Sequence, residues 1–241
     1  MEIPPPPSPQ SNEFSILSGF RSRVQRYLDE HGWRVGLALA VHRSLARLSP
    51  RYGMYWYRVY RQPLQGASRL GASGSAQYRW MDGYDELLAQ LPRPVENLRE
   101  RFEQNVQCLA VVKEQELMAC AWFGFERFEE DEVRCTYILP ANAVWDFDVF
   151  VFPKHRIGRI FLRTWEEANR KLSLEGFTQS LSRISVYNKN SITSHEKLGA
   201  EPLGGALFFK LGRLQVMMSS LSPYVAFSLR HPPQLDFRRR P

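Results

Sequence analysis

Residues 145–187 restrict the fold more than any other part of the chain. An apolar run, "WDFDVFVF" (145–152), leads into a basic turn, "PKHRIG", then a helix-patterned segment and a second apolar run, "SRISVY" (182–187). Strand, helix, strand in that order predicts a right-handed crossover that lays the two strands parallel in one sheet. Within the helix, Phe161, Trp165, Ala168 and Leu172 recur at i, i+4, i+7 and i+11, a single core-facing stripe. Gly176 stands where a C-terminal cap residue belongs.

The elements around this unit read as antiparallel. "AQYRWM" is a short strand, and "DGYDELLAQL" and "PVENLRERFEQN" are two helices, the second with proline at an early position where its missing N–H costs little. "VQCLAVVK" and "ELMACAWFGFE" form a hairpin about a polar turn, and "EVRCTYIL" precedes the strand at 145–152. "NSITSHEKLG" is a helix, and "ALFFKLGRLQVMM" is a strand or hairpin. The prediction is an α/β fold with a mixed (α+β) sheet, ordered β-α-α-β-β-β-α-β-α-β-β over residues 76–220.

Ahead of this domain, residues 1–13 carry four successive prolines and are expected to be extended and disordered, with none of the basic and apolar character of a signal peptide. Residues 14–31 and 33–48 read as helices, and 14–64 as a basic helical extension. Nine arginines stand between residues 20 and 61 against Asp29 and Glu30, so this segment carries +7, the formal charge of the whole chain. The body is near neutral, which argues against nucleic acid as a general partner. The extension either packs on the domain as a helical hairpin or rests on an anionic membrane face or an acidic partner. "QGASRLGASGSA", rich in glycine and serine, marks a linker over 65–75, and residues 221–241 read as a basic tail. Cys108, Cys120 and Cys135 fall in strand-like runs without a CxxC pair or neighbouring histidines. Reduced, buried thiols in a cytoplasmic setting are expected from this, and no metal site.

Two local stretches carry a family resemblance. Val149-Phe150-Val151-Phe152-Pro153-Lys154-His155-Arg156 is similar to the end of a fourth strand running into Pro-x-x-Arg, and Asn188, Ser191, Lys197, Leu198 and Gly199 keep the register of an Asn-x-x-Ser…Leu-Gly helix. Together with the element order they make the chain resemble the GNAT superfamily of acyl-coenzyme A-dependent N-acyltransferases. The resemblance implies acetyl-CoA or a longer acyl-CoA as co-substrate, a small-molecule or peptidyl amine as acceptor, and direct attack in a ternary complex. It also implies that Val149 and Val151 run beside the pantetheine arm and that Asn188 belongs to the cofactor-binding set. A helix start attracts phosphate oxygens by itself, so Arg156, Ile157, Gly158, Arg159, Ile160 and Phe161 are the expected pyrophosphate turn. Arg159 and Phe161 stand where the family has glycines, which makes the turn atypical. Its alternative is a solvated basic turn capping a structural helix.

His195 occupies the position of the family's tyrosine, on one helical face with Ser191 and Leu198. An imidazole there can protonate a departing thiolate or serve as a base; otherwise it is a surface histidine. Asp148 and Asp146, two residues apart and so expected on one strand face, are the candidate bases, with half-exposed solvated acids as the alternative reading. Glu126, Glu129 and Glu130 read as a solvated acidic turn. The non-catalytic alternative for the whole chain is an interaction or acyl-carrier-binding module.

Overall fold

The computed structural model describes residues 32–64, 76–130, 132–156 and 159–238. The segments expected as a tail (1–13), a first helix (14–31) and a linker (65–75) lie outside the described residues, as do Ile157, Gly158 and residues 239–241.

Helix α1 (Trp33–Leu48) is where the spacing put it, and strand β1 (Tyr52–Pro63) follows. The domain continues with β2 (Gln77–Met81), a 3-10 turn (Glu86–Gln90), α2 (Val95–Phe102), β3 (Val106–Lys113) and β4 (Glu116–Phe125). Then come β5 (Arg127–Glu129), β6 (Thr136–Ile138), β7 (Ala143–Val151), a second 3-10 turn (Pro153–His155), α3 (Ile160–Leu174), β8 (Gln179–Ser185) and α4 (Lys189–Lys197). Strands β9 (Glu201–Leu211), β10 (Leu214–Ser219), β11 (Val225–Ser228) and β12 (Gln234–Asp236) complete the chain. Nine strands make one mixed sheet in the order β11-β10-β9-β1-β8-β7-β4-β3-β2, while β12-β6-β5 form a small second sheet. The mixed α/β architecture expected from the sequence is present, and β7 and β8 are its parallel pair.

Both faces of the large sheet are covered. On one, Trp165, Ala168 and Leu172 of α3 pack on Leu109, Ala121, Phe123 and Val144, the stripe read from the sequence. On the other, Leu88, Leu98 and the small sheet's Phe128, Tyr137 and Leu235 join Trp122 and Trp145. Gly176, at φ 91, ends α3 as expected. The β3–β4 turn places Glu114 and Gln115 at φ 50 and 64, the twist a two-residue hairpin needs. Cys108, Cys120 and Cys135 are buried free thiols.

Three expectations are corrected. Residues 52–63, placed in a helical extension, form the strand between β8 and β9, with Tyr57↔Ser185 and Tyr57↔Ala206 in register. The cause is that β1 is buried from both faces: Tyr57 belongs to the core shared with the small sheet and Tyr60 to a separate cluster with Ile184 and Ala200, so the strand reads as aromatic throughout rather than alternating. "DGYDELLAQL" contracts to the 3-10 turn, started by Asp85, whose Oδ1 accepts from Leu87 N at 2.8 Å. The C-terminal segment is structured rather than a tail. β12 pairs parallel with β6, and the Phe237 ring lies 6.2 Å from Tyr137 and 6.0 Å from Trp145.

Arg134 ties that segment down. Its guanidinium donates to the carbonyls of Leu229 (2.8 Å), Ser228 (3.2 Å) and Arg213, and its backbone is bonded to Gln215. Arg134→Ala is expected to cost about 1 kcal/mol or somewhat more, since of the three carbonyls it serves only that of Ser228 belongs to a buried residue and the others can turn to water. Amide exchange at Leu235 should quicken ahead of that in β3 and β4; uniform quickening would show that the clamp is not local.

Candidate active site at a splayed strand pair

Strands β7 and β8 pair only at Ala143↔Gln179, Val144↔Ser180 and Trp145↔Leu181, although β7 runs on to Val151 and β8 to Ser185. Two features part them. β8 keeps its other edge on β1 as far as Ser185. β7 bulges: Asp148 sits at φ 47, and the β4 register jumps from Trp122↔Phe147 to Cys120↔Phe150. A one-residue bulge bends its strand and re-aims the side chains beyond it. The facing edges of β7 and β8 are thereby left open to an extended ligand.

The bulge also overturns the expectation that Asp146 and Asp148 share a face. Asp146 points under the α3 side, 2% exposed, and accepts from Ser180 Oγ at 2.5 Å. Burial pushes its carboxyl up to about 7 against the lowering effect of Ser180 and Ser182. Asp148 turns to the opposite face, bound by Arg93 (2.5 Å) and by Arg101 (2.6 Å), whose side chain is 5% exposed. Arg101 in turn lies over the Trp122 and Phe147 rings, at 5.2 and 5.3 Å.

On that second face a cleft of 550 Å³ straddles the splay. Phe147 and Arg183, which line it, are the next same-face residues after the last paired couple, Trp145 and Leu181. Arg183 binds Glu130 (2.6 Å) and Glu132 (3.0 Å) and lies 3.9 Å from the Tyr57 ring centre. Tyr57 donates to Glu132 Oε2 at 2.7 Å; burial foremost, and Glu132 itself, hold its hydroxyl far above the ordinary tyrosine range. Glu130 is not the solvated acid expected, since its side chain is 5% exposed and ion-paired. Sequence reading missed Arg93, Arg101, Arg183, Tyr57 and Glu132. Only Arg183, a charge inside the buried run "SLSRIS", gave a local signal.

The turn after β7 divides its charges. Lys154 and His155 both reach Glu116, at 2.5 and 2.9 Å, whereas Arg156 and Arg159 are exposed beside the α3 start. Arg156 Nε donates to the Val151 carbonyl at 3.0 Å, which fixes the turn to the strand end. Arg159 is the α3 N-cap, and among the described residues no side chain caps the first helical N–H groups. Ile160 is half-buried, and Phe161 packs with Val149 in the α3-side core. Asn188 caps α4, its Oδ1 accepting from Ser191 N at 3.1 Å.

His195 is 4% exposed rather than on the surface. Its ring stands edge-on to Trp165 (5.5 Å) and Phe161 (6.1 Å), and desolvation lowers its pKa to about 4. The imidazole is therefore neutral at pH 7. His195 and Asp146 thus lie on the helix-covered face, and Asp148 on the cleft face. Among the described residues no three His, Cys, Asp or Glu side chains gather as metal ligands, and no helix is long and apolar enough to cross a membrane.

No family model matches the chain, and no curated protein matches it. Among solved structures it is similar to a conserved protein of unknown function from Staphylococcus epidermidis, at 8% identity and TM-score 0.46, covering 67% of this chain and 62% of that one. A GCN5-related N-acetyltransferase from Kribbella flavida aligns at 10% identity and TM-score 0.41, covering 66% and 61%. An aminoglycoside acetyltransferase from an uncultured soil metagenomic sample aligns at 12% identity and TM-score 0.36, covering 52% of this chain and 87% of that one. The chain spans less than two-thirds of the length of the first two. These likenesses are too distant to carry function.

Proposed function

We propose that the chain transfers an acyl group, acetyl or longer, from acyl-CoA to an amine by direct attack in a ternary complex. The observation that carries this reading is the parting of β7 and β8 after Trp145↔Leu181, with an uncapped helix start at one end and a polar cleft on one face. The open strand edges suit the amide-bearing pantetheine arm, which pairs as an added strand does. The α3 start, with Arg156 and Arg159 exposed beside it, suits the diphosphate. The thioester then reaches the bulge at Asp148, where the cleft admits an acceptor. As the N–C bond forms and the C–S bond breaks, the electron pair leaves with sulfur, which takes up a proton.

One observation favours a second reading, a non-catalytic acyl-carrier-binding module. His195, at the family's tyrosine position, is neutral and screened by Phe161 and Trp165, so at pH 7 it is not the imidazolium acid that would protonate a departing thiolate. Release of free thiol from acyl-CoA in the presence of amines separates the two readings.

Saturating acetyl-CoA is expected to raise the melting temperature by several degrees, since a ligand at about 100 times its Kd adds about 2.7 kcal/mol. Arg159→Glu, which puts a negative charge at the α3 N-cap without touching the core, should weaken binding by about tenfold or more. Acetyl- and long-chain acyl-CoA both failing to stabilise the wild type would remove the acyltransferase reading.

A further inference from the structure

We infer that Glu132 is the group that receives the acceptor amine and takes its proton, so that the acceptor is a polar primary amine; this rests on the acyltransferase reading above. Three carboxylates line the cleft, and they are not equivalent. The side chains of Glu130 and Asp148 are 5% and 15% exposed and are held by arginines. That of Glu132 is 50% exposed. Among the described residues, both of its side-chain hydrogen bonds, from Tyr57 and Arg183 Nη2, fall on Oε2, and Oε1 is the oxygen on which a ligand can be received. Its position is fixed without being filled. Tyr57 is 2% exposed in the central strand β1 and stays a phenol, so it donates to the carboxylate rather than competing for a proton. Arg183 is braced by Glu130 and the Tyr57 ring.

Glu132 also lies on the correct face. Arg183, its partner, follows Leu181 on β8 just past the splay, opposite Phe147 and the Asp148 bulge of β7. An ammonium ion entering the cleft meets a carboxylate there. It sheds one proton to water, attacks as the free amine, and passes a second proton from nitrogen to Oε1 as the N–C bond forms. The electron pair of the broken C–S bond goes to sulfur, which is protonated from solvent. The remaining cleft walls, with Arg93, Arg101 and Asn97, favour a hydrated acceptor over an alkyl one.

The test compares wild type, Glu132→Gln and Glu132→Asp. Acetyl-CoA binding is followed by thermal shift, and thiol release is followed with spermidine, glycinamide and octylamine as acceptors across pH. Glu132→Gln is expected to bind acetyl-CoA as the wild type does. It should lose on the order of 10²-fold in kcat/KM for the polar amines, the usual worth of a positioned base, with the loss shared between KM and kcat. Glu132→Asp should recover part of it. Wild type that binds acetyl-CoA but releases thiol with no polar amine, or only with octylamine, overturns the inference. So do unchanged kinetics and pH profile in Glu132→Gln. Failure of the wild type to bind acyl-CoA at all removes the parent reading, and this inference with it.

Discussion

Asp148→Ala is expected to destabilise the fold by about 3–5 kcal/mol, the usual cost of stripping one partner from a buried ion pair. Arg101, 5% exposed and bonded to Asp148 at 2.6 Å, would keep its charge among Trp122 and Phe147 with that partner gone. The backbone adds to the cost, because φ 47 suits aspartate or asparagine better than alanine. Asp148→Asn separates the two effects, since it tolerates the same backbone and removes only the charge. If the pairing dominates, asparagine should recover little of the loss in a urea titration. Recovery of most of it would assign the effect to the bulge instead. In the alanine variant, relief of the positive φ by straightening β7 would allow it to pair further along β8, so acyl-CoA binding should fall along with stability, whereas asparagine should keep the splay.

The second large effect is a pH dependence masked in the wild type. The Asp146 carboxyl titrates near 7 in the fold against an ordinary 3.8, so the native state holds a proton that the unfolded chain has released. Stability from this group is fully present below about pH 4 and is lost as pH rises through 7, on the order of 4 kcal/mol in all. His195 acts oppositely. Its pKa is depressed to about 4 from 6.5, so its contribution is present above about pH 6.5 and is lost as pH falls toward 4, about 3 kcal/mol in all. Between about pH 4 and 6.5 the two slopes offset each other. Asp146→Asn should therefore be more stable than wild type at about pH 8 and steeply acid-sensitive below about 6.5. His195→Phe should resist acid and lose stability from about pH 4 to 7. Urea midpoints measured across this range decide the matter, and an Asp146→Asn curve parallel to the wild type would refute the assignment.

The strand–helix–strand unit was legible because its signals are local: the stripe from Phe161 to Leu172, Gly176, and apolar runs on either side. The parallel pairing of β7 and β8 followed from order alone. What escaped depends on partners remote in sequence. "YGMYWYRVYRQP" carries no alternation because both its faces are buried, and nothing near it announces strands more than about a hundred residues later. Period-two reasoning placed Asp146 and Asp148 together, and a single bulged residue separated them. Glu132 and Arg183 belong to the cleft only through each other and Tyr57, a grouping made by tertiary structure. His195 was placed correctly on its helix, but its burial against Trp165 depended on how two helices meet.

The place of β1 between β8 and β9 has a consequence for assembly. A ribosome delivers residues 52–63 early, and both flanking ribbons only after roughly a hundred more, so this aromatic segment must wait. Sheets completed by such distant partners fold slowly and are prone to sticking to one another on the way. The two sides of the large sheet are joined through those twelve residues. A chain trimmed at the glycine- and serine-rich stretch after them would therefore lose its keystone, leaving two ribbons with nothing to bridge them.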